Sequence, residues 1–191
     1  LLIIFVCIFA IVLYNNNQIK EINNLSFVGD WSAKELLAAG TCNPSAHNVK
    51  GWAYAYPIGP ISLNCGNCDT NGDGVIDNSA CGNVGASIAD YGVNINDDKT
   101  LSGYAWSPAI GPISFNKNEI CASSVCQATD FPANNTNIKH SAQVKWVESG
   151  TAKIIGWARA LGGCSFNGTK CTTNIAGSDA GGWDGWIKFD K

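Results

Sequence analysis

The chain has 191 residues, of which 12 are Lys or Arg and 15 Asp or Glu, for a formal charge of −3 and a charged fraction of 14%. That length suits one domain, or one domain with an appendage, large enough to bury a core, and the lack of a basic excess argues against a nucleic-acid partner. With 46% hydrophobic residues, 7 Trp and 9 Cys, the composition is too apolar for disorder and too cysteine-rich for a reducing cytosol, so it predicts a folded, exported protein. No methionine is present, which predicts that Leu1 is not the translation start.

Leu1 to Tyr14 (LLIIFVCIFAIVLY) is continuously apolar, and polarity changes abruptly at Asn15-Asn16-Asn17. As a helix this run rises about 21 Å, short of the roughly 20 residues that cross a bilayer. A secretory signal core would carry a basic flank before it and a small-residue cleavage site after it, and neither is present. Ile19, Ile22 and Leu25 recur at spacing three, so the helix is expected to continue to residue 28, and Gly29-Asp30 to interrupt it. Ser32-Ala33-Lys34-Glu35 reads as a capping box opening a second short helix, Ala33 to Ala39, ended by Gly40 within a linker over 29–41.

The apolar run resembles the start of a type IV pilin or related pseudopilin, beginning just after the point where that family carries a Phe-Thr-Leu-Ile-Glu signature. The resemblance covers the first sixth of the chain. It implies a helix that anchors the subunit in the membrane before assembly and then packs against copies of itself in the core of a helical filament. Leu1, Ile4, Phe5, Ile8, Phe9, Ile11 and Val12 would form the packing surface, with Cys7 a small apolar residue among them.

Beyond Cys42 the sequence repeats itself. Val49-Lys-Gly-Trp-Ala-Tyr-Ala-Tyr-Pro-Ile-Gly-Pro-Ile-Ser-Leu-Asn64 matches Leu101-Ser-Gly-Tyr-Ala-Trp-Ser-Pro-Ala-Ile-Gly-Pro-Ile-Ser-Phe-Asn116. A third copy opens at Ile155-Gly-Trp-Ala-Arg159 and ends in Gly182-Trp-Asp-Gly-Trp-Ile-Lys-Phe189. The anchoring glycines Gly51, Gly103 and Gly156 lie 52 and 53 residues apart, a strong internal repeat. Each copy has an aromatic-rich strand, a Pro/Gly turn and a second alternating strand, the pattern of a β-hairpin. Tyr91–Ile95 and Gln143–Val147 are expected to add strands ahead of the second and third copies, across turns at Asp97-Asp98 and Ser149-Gly150. The alternating Trp and Tyr residues are expected to pack inward as a repeated core, with a carbohydrate platform as the competing reading. The repeats also resemble those of surface proteins in very small candidate-phyla bacteria, which implies a surface location.

Eight cysteines remain beside Cys7, an even number that suggests four disulfides among 105 possible pairings. Proximity picks out Cys121 with Cys126 and Cys164 with Cys171, and Cys68 with Cys81 and Cys42 with Cys65 then follow. Cys65-x-x-Cys68 would suit zinc, but no second pair has the required spacing and neither histidine is near.

Asp69-Thr-Asn71-Gly-Asp73-Gly74-Val75-Ile76-Asp77 places oxygen ligands at alternate positions, with Gly74 permitting a sharp turn. Such a loop can wrap calcium through the side chains of Asp69, Asn71 and Asp73, the Val75 carbonyl, and Asp77 directly or through water. The spacing resembles an EF-hand or dockerin loop, with Ala80 where an EF-hand carries glutamate, so Asp90 or water would complete the shell. An Asp/Asn/Gly turn cluster is the alternative. A structural role follows for the metal, stiffening the insertion between the first two repeats.

His47 and His140 sit in polar segments without a nucleophile motif, and no Gly-x-Ser-x-Gly or His-Glu-x-x-His is present. Asp179 and Asp184 beside Trp183 and Trp186 would suit a glycosidase pair, although glycine-flanked aspartates favour turns. Asn24, Asn134 and Asn167 begin glycosylation sequons. Together these features predict an α+β protein: an apolar N-terminal helix over 1–28, a linker, and a mostly antiparallel, disulfide-linked β domain over 42–191. The function expected is that of a non-enzymatic subunit of an extracellular, pilus-like filament. A membrane-anchored surface adhesin binding glycans, or a pseudopilin of a secretion apparatus, is the alternative.

Overall fold

A computed structural model describes residues 41–191 except 57, 124–125, 133–137, 149–150, 175–183 and 190–191. The expected N-terminal helix with its packing residues Leu1, Ile4, Phe5, Ile8, Phe9, Ile11 and Val12, and the short helix Ala33 to Ala39, lie outside the described residues.

Three hairpins stand side by side. The first joins β1 (Trp52–Ala55) to β2 (Gly59–Ser62), the second β4 (Leu101–Ser107) to β5 (Gly111–Ser114), and the third β7 (Thr151–Ala160) to β10 (Trp186–Phe189). The named strands all pair antiparallel, in the order β1-β2-β4-β5-β7-β10. β3 (Val93–Ile95) adds to β4 and β6 (Gln143–Glu148) to β7, which completes eight strands and curls the sheet into a half-barrel. Between the strands of the third hairpin a separate two-stranded sheet is inserted, β8 (Cys164–Phe166) with β9 (Cys171–Asn174).

The α+β expectation is corrected: the described chain is mostly antiparallel β. Its one α-helical segment is a single turn, α1 (Lys117–Ile120), and the other helical pieces are three-residue 3-10 turns. The physical reason is period. From Val49 onward the apolar residues alternate at spacing two, and glycine or proline interrupts every run before a helix of useful length could form.

The repeat is visible in the register. Trp52 pairs with Ser62 and Tyr104 with Ser114, and the same position in the third hairpin pairs Trp157 with Lys188. Ala53, Ala105 and Ala158 face Ile61, Ile113 and Ile187 across each hairpin. These alanines and isoleucines, with Leu63, Val93, Leu101, Phe115 and Val144, form the main core on one face of the sheet. Small alanine on one strand opposite isoleucine on the other fills the layer without overpacking.

Gly103 and Gly156 have φ of +85° and +113°, and a Cβ there would sit 2.2 Å from the Gly92 carbonyl oxygen and 2.5 Å from that of Ser141. Glycine lets the strands before the second and third copies come this close. At Gly51, the equivalent position of the first copy, nothing lies within 4 Å.

The four disulfides join Cys42–Cys65, Cys68–Cys81, Cys121–Cys126 and Cys164–Cys171, the pairings expected from the sequence. They are the mark of a chain that matures in an oxidising environment.

Candidate functional site

The acidic loop lies between two 3-10 turns, Cys65–Asn67 and Ser79–Cys81, whose entry residues Asn64 and Asn78 cap them through their side-chain oxygens. The Cys68–Cys81 bond closes the loop. Asp69 is buried, and its carboxylate accepts from three loop amides: Gly72 N at 2.7 Å, Asp73 N at 3.1 Å and Gly74 N at 3.0 Å. Asp73 accepts from Val75 N at 3.0 Å and, through its other oxygen, from Asn71 Nδ2 at 3.1 Å. Asp77 accepts from Thr70 N and Thr70 Oγ1, and these bonds hold its carboxyl below the usual carboxylate range. Gly72 and Gly74 take φ of +80° and +85°, which lets the chain fold back on Asp69.

The loop therefore folds as a set of Asx turns in which carboxylates cap the chain's own amides. Among the described residues no three His, Cys, Asp or Glu side chains are grouped to hold a metal. Asp77 Oδ1 is buried without a hydrogen-bond partner. The structure does not bring Asp90 to this loop. Its carboxylate accepts from Asn43 N at 2.9 Å and lies 3.5 Å from His47 Nε2, tying the segment before β1 to the one before β3.

The second feature is the sheet face opposite the alanine–isoleucine core, where the repeated aromatics lie. In the second hairpin Tyr104 and Trp106 pack beneath the first disulfide-rich loop, against Cys65, Cys68, Cys81 and Tyr91. The Trp106 indole donates to the Cys81 carbonyl at 3.0 Å, and the Tyr104 hydroxyl donates to Glu119 at 2.8 Å. In the third hairpin Trp157 and Trp186 pack beneath the second loop, against Ile120, Cys121 and Phe131. There Arg159 is buried 4.5 Å from the Trp186 ring centre and donates to the carbonyls of Ile120 and Asp184, each at 2.9 Å. Burial lowers its guanidinium pKa to about 10, against the pull of the Asp184 and Asp130 carboxylates.

Among the described residues the first hairpin has no such cover. Trp52 is 40% exposed, Tyr54 75% and Tyr56 91%, although Trp52 and Tyr54 hold the positions of Tyr104 and Trp106. The expectation that these aromatics pack into a repeated core holds in copies two and three, in clusters on the face away from the main core, and is corrected in the first copy, where no described loop buries them. Three aromatics at alternate positions on one exposed edge form a surface patch of the kind that mediates binding. The signal was present in the sequence. Alanine and isoleucine recur in all three copies at the core positions, whereas the outward position reads Tyr54, Trp106 and Arg159.

The histidines occupy backbone-supporting roles. His47 contacts Asn94 and Asp90, and His140 bonds the Ser141 carbonyl through Nδ1 at 2.8 Å. Asp184 sits at the entry to β10, where Trp186 N donates to it, while Asp179 and Trp183 lie outside the described residues. Asn167 caps the β8–β9 turn by accepting from the Thr169 and Lys170 amides. The sequons at Asn24 and Asn134 include undescribed residues.

Fold and surface together define a disulfide-linked β-repeat protein whose described residues leave the aromatic edge of the first hairpin exposed. No family model, curated protein or solved structure matches the chain.

Proposed function

We propose that the chain is a structural subunit of an extracellular, type IV pilus-like filament. Its apolar N-terminal segment holds the subunit in the membrane and then associates with copies of itself in the filament core, and its β domain forms the outer surface. The observation that carries this reading is the sharp partition of the chain. Fourteen continuously apolar residues, Leu1 to Tyr14, precede a low-charge domain with four disulfides. Association through such a segment is driven by apolar burial and needs no chemistry. Electron microscopy of the surface of cells that make the protein tests it: filaments labelled along their length by an antibody to the β domain are expected. Labelled cells without filaments would overturn it.

Calcium at Asp69, Asn71, Asp73, Val75 and Asp77 belongs to the same proposal. Its support is the alternate spacing of oxygens in one tight turn and the buried, unpartnered Asp77 Oδ1. Chelation is expected to lower the melting temperature of the wild type and leave an Asp73→Ala variant unmoved. Equal responses would remove calcium from the reading.

A second reading, a surface adhesin that binds glycans, is favoured by the exposed Trp52, Tyr54 and Tyr56. Binding on a glycan array that is lost in Tyr54→Ala supports it.

A further inference from the structure

The sheet joins its hairpins by one rule used twice. The second strand of each hairpin pairs antiparallel with the first strand of the next: β2 with β4 through Ser62 and Trp106, and β5 with β7 through Ser114 and Arg159. Ser62 and Ser114 hold the same repeat position, and so do Trp106 and Arg159. The two joints therefore share one register, and strand direction alternates throughout the sheet.

A rule of that kind has an open end. Among the described residues β1 pairs only with β2 and ends the strand order on one side, while β10 ends it on the other. Trp52, Tyr54 and Tyr56 are exposed on this first hairpin. An edge strand with a row of exposed aromatics is a template for another strand.

The geometry points to a second copy of this chain as the occupant of that edge, with β10 of one copy laid antiparallel against β1 of the next in the register of the two internal joints. In that register Lys188 stands opposite Tyr54, as Ser62 stands opposite Trp106 and Ser114 opposite Arg159, and Ile187 stands opposite Ala55, as Ile113 stands opposite Ala160. An exposed lysine across from an exposed phenol places an aliphatic stem and a cation against an aromatic ring, a favourable cross-strand pair. The contact is head-to-tail and does not close on itself in a dimer, so it propagates around a ring or along a fibre. Both internal joints are short, one and two residue pairs. The intermolecular joint is accordingly weak alone and gains from the high local concentration of a filament. It rests on the filament reading for that concentration only, and its register comes from the repeat.

The test is directional cross-linking in the full chain. Chains carrying Tyr54→Cys are mixed with chains carrying Lys188→Cys and oxidised mildly, and a covalent heterodimer is expected. A chain carrying both substitutions is expected to give a ladder of multimers. Both side chains are exposed, so the replacements leave the core intact, and matching circular dichroism verifies folding. In the unsubstituted chain, exchange of the Trp52 and Tyr54 amides, which point away from β2 because Gly51, Ala53 and Ala55 face it, is expected to slow as concentration rises. Tyr54 homodimers in place of heterodimers, or no cross-link at any concentration, would overturn the proposal. So would protection of those amides at every dilution, which would mean that residues 1–40 of the same chain cover the edge. Filaments without the 54–188 cross-link would defeat this contact and leave the N-terminal reading standing, and the cross-link without filaments would do the reverse.

Discussion

Removing the Cys68–Cys81 bond with the paired substitution Cys68→Ala and Cys81→Ala should loosen the cover over the second hairpin while leaving the alanine–isoleucine core in place. The bond spans a sequence separation of 13, for which loop-closure entropy in the unfolded chain gives about 3 kcal/mol. The same relation gives about 2 kcal/mol for Cys121–Cys126, whose separation is 5. In a domain of this size about 3 kcal/mol corresponds to a fall of about 9 °C in Tm. Alanine is the proper replacement because both sulfurs are buried, and a serine hydroxyl there would need a partner. The native state should change as well, because Trp106 donates to the Cys81 carbonyl at 3.0 Å and packs under this loop. Urea unfolding followed by circular dichroism measures the stability loss, and tryptophan emission in the native baseline, shifted to the red, reports the uncovered indole. A loss below about 1 kcal/mol, or a larger loss from the Cys121→Ala and Cys126→Ala pair, would refute the assignment of this loop as the main clamp on the outer face.

Gly103→Ala should be severely destabilising, by more than about 3 kcal/mol, because positive φ costs roughly 1–2 kcal/mol for a residue with a Cβ and the Gly92 carbonyl stands 2.2 Å from it. Gly51→Ala meets no neighbour within 4 Å and should cost only the backbone part, about 1–2 kcal/mol, so comparable losses at the two sites in urea titrations would contradict the register. Alkaline unfolding should begin near pH 10. Burial raises the Tyr91 and Tyr104 phenols above their ordinary value of 10, so the unfolded chain sheds protons there that the folded chain keeps, and stability falls as pH rises. Tyr104→Phe should flatten that fall, read from Tm against pH. On the acid side the bonds from Thr70 and Thr100 hold the Asp77 and Asp98 carboxyls below the ordinary aspartate range. The unfolded chain then binds more protons in that range, and stability is lost as pH drops through 4 and below, a loss that Thr70→Ala should reduce.

The three hairpins were legible because each copy carries the same glycine just before the first aromatic of its first strand and a glycine at or just before the start of its second. Gly59, Gly111 and Gly185 all take positive φ, at +87°, +73° and +80°, and backbone geometry of that kind is written locally. Two of the disulfides were legible because their cysteines lie 5 and 7 residues apart, and the other two pairings then followed. The direction of the aromatics was not. Alternation shows that Trp52 and Ala53 point to opposite faces, but both faces of this sheet are apolar in two of the three copies, and period alone cannot say which face meets the main core. The β8–β9 insertion was hidden for a different reason: Gly162-Gly163 and Asn167-Gly168 read as loop, and its strands of three and four residues are too short to show a period. The acidic loop was legible as a turn. Sequence spacing could not reveal that its carboxylates cap Gly72, Asp73, Gly74 and Val75, because amides and a cation compete for the same oxygens.

The divergence of the copies follows from what covers each one. At one outward position Trp106 meets a backbone carbonyl, that of Cys81, and an indole N–H satisfies a single acceptor. At the same position in the next copy Arg159 lies between the carbonyls of Ile120 and Asp184, and a guanidinium can serve both while its plane rests on Trp186. One position upstream-outward, Tyr104 meets the Glu119 carboxylate, and a phenol donates to it. Each outward residue is thus fitted to the polar groups of the loop above it, which is why these positions differ while the alanines and isoleucines below them do not. Among the described residues no loop lies above Tyr54, and its ring is apolar with a hydroxyl at the tip, a side chain that tolerates water when alone and packs well against a lysine stem when paired. In the proposed contact between chains, the Lys188 stem of the next copy takes over for Tyr54 the part that the covering loops play for Trp106 and Arg159.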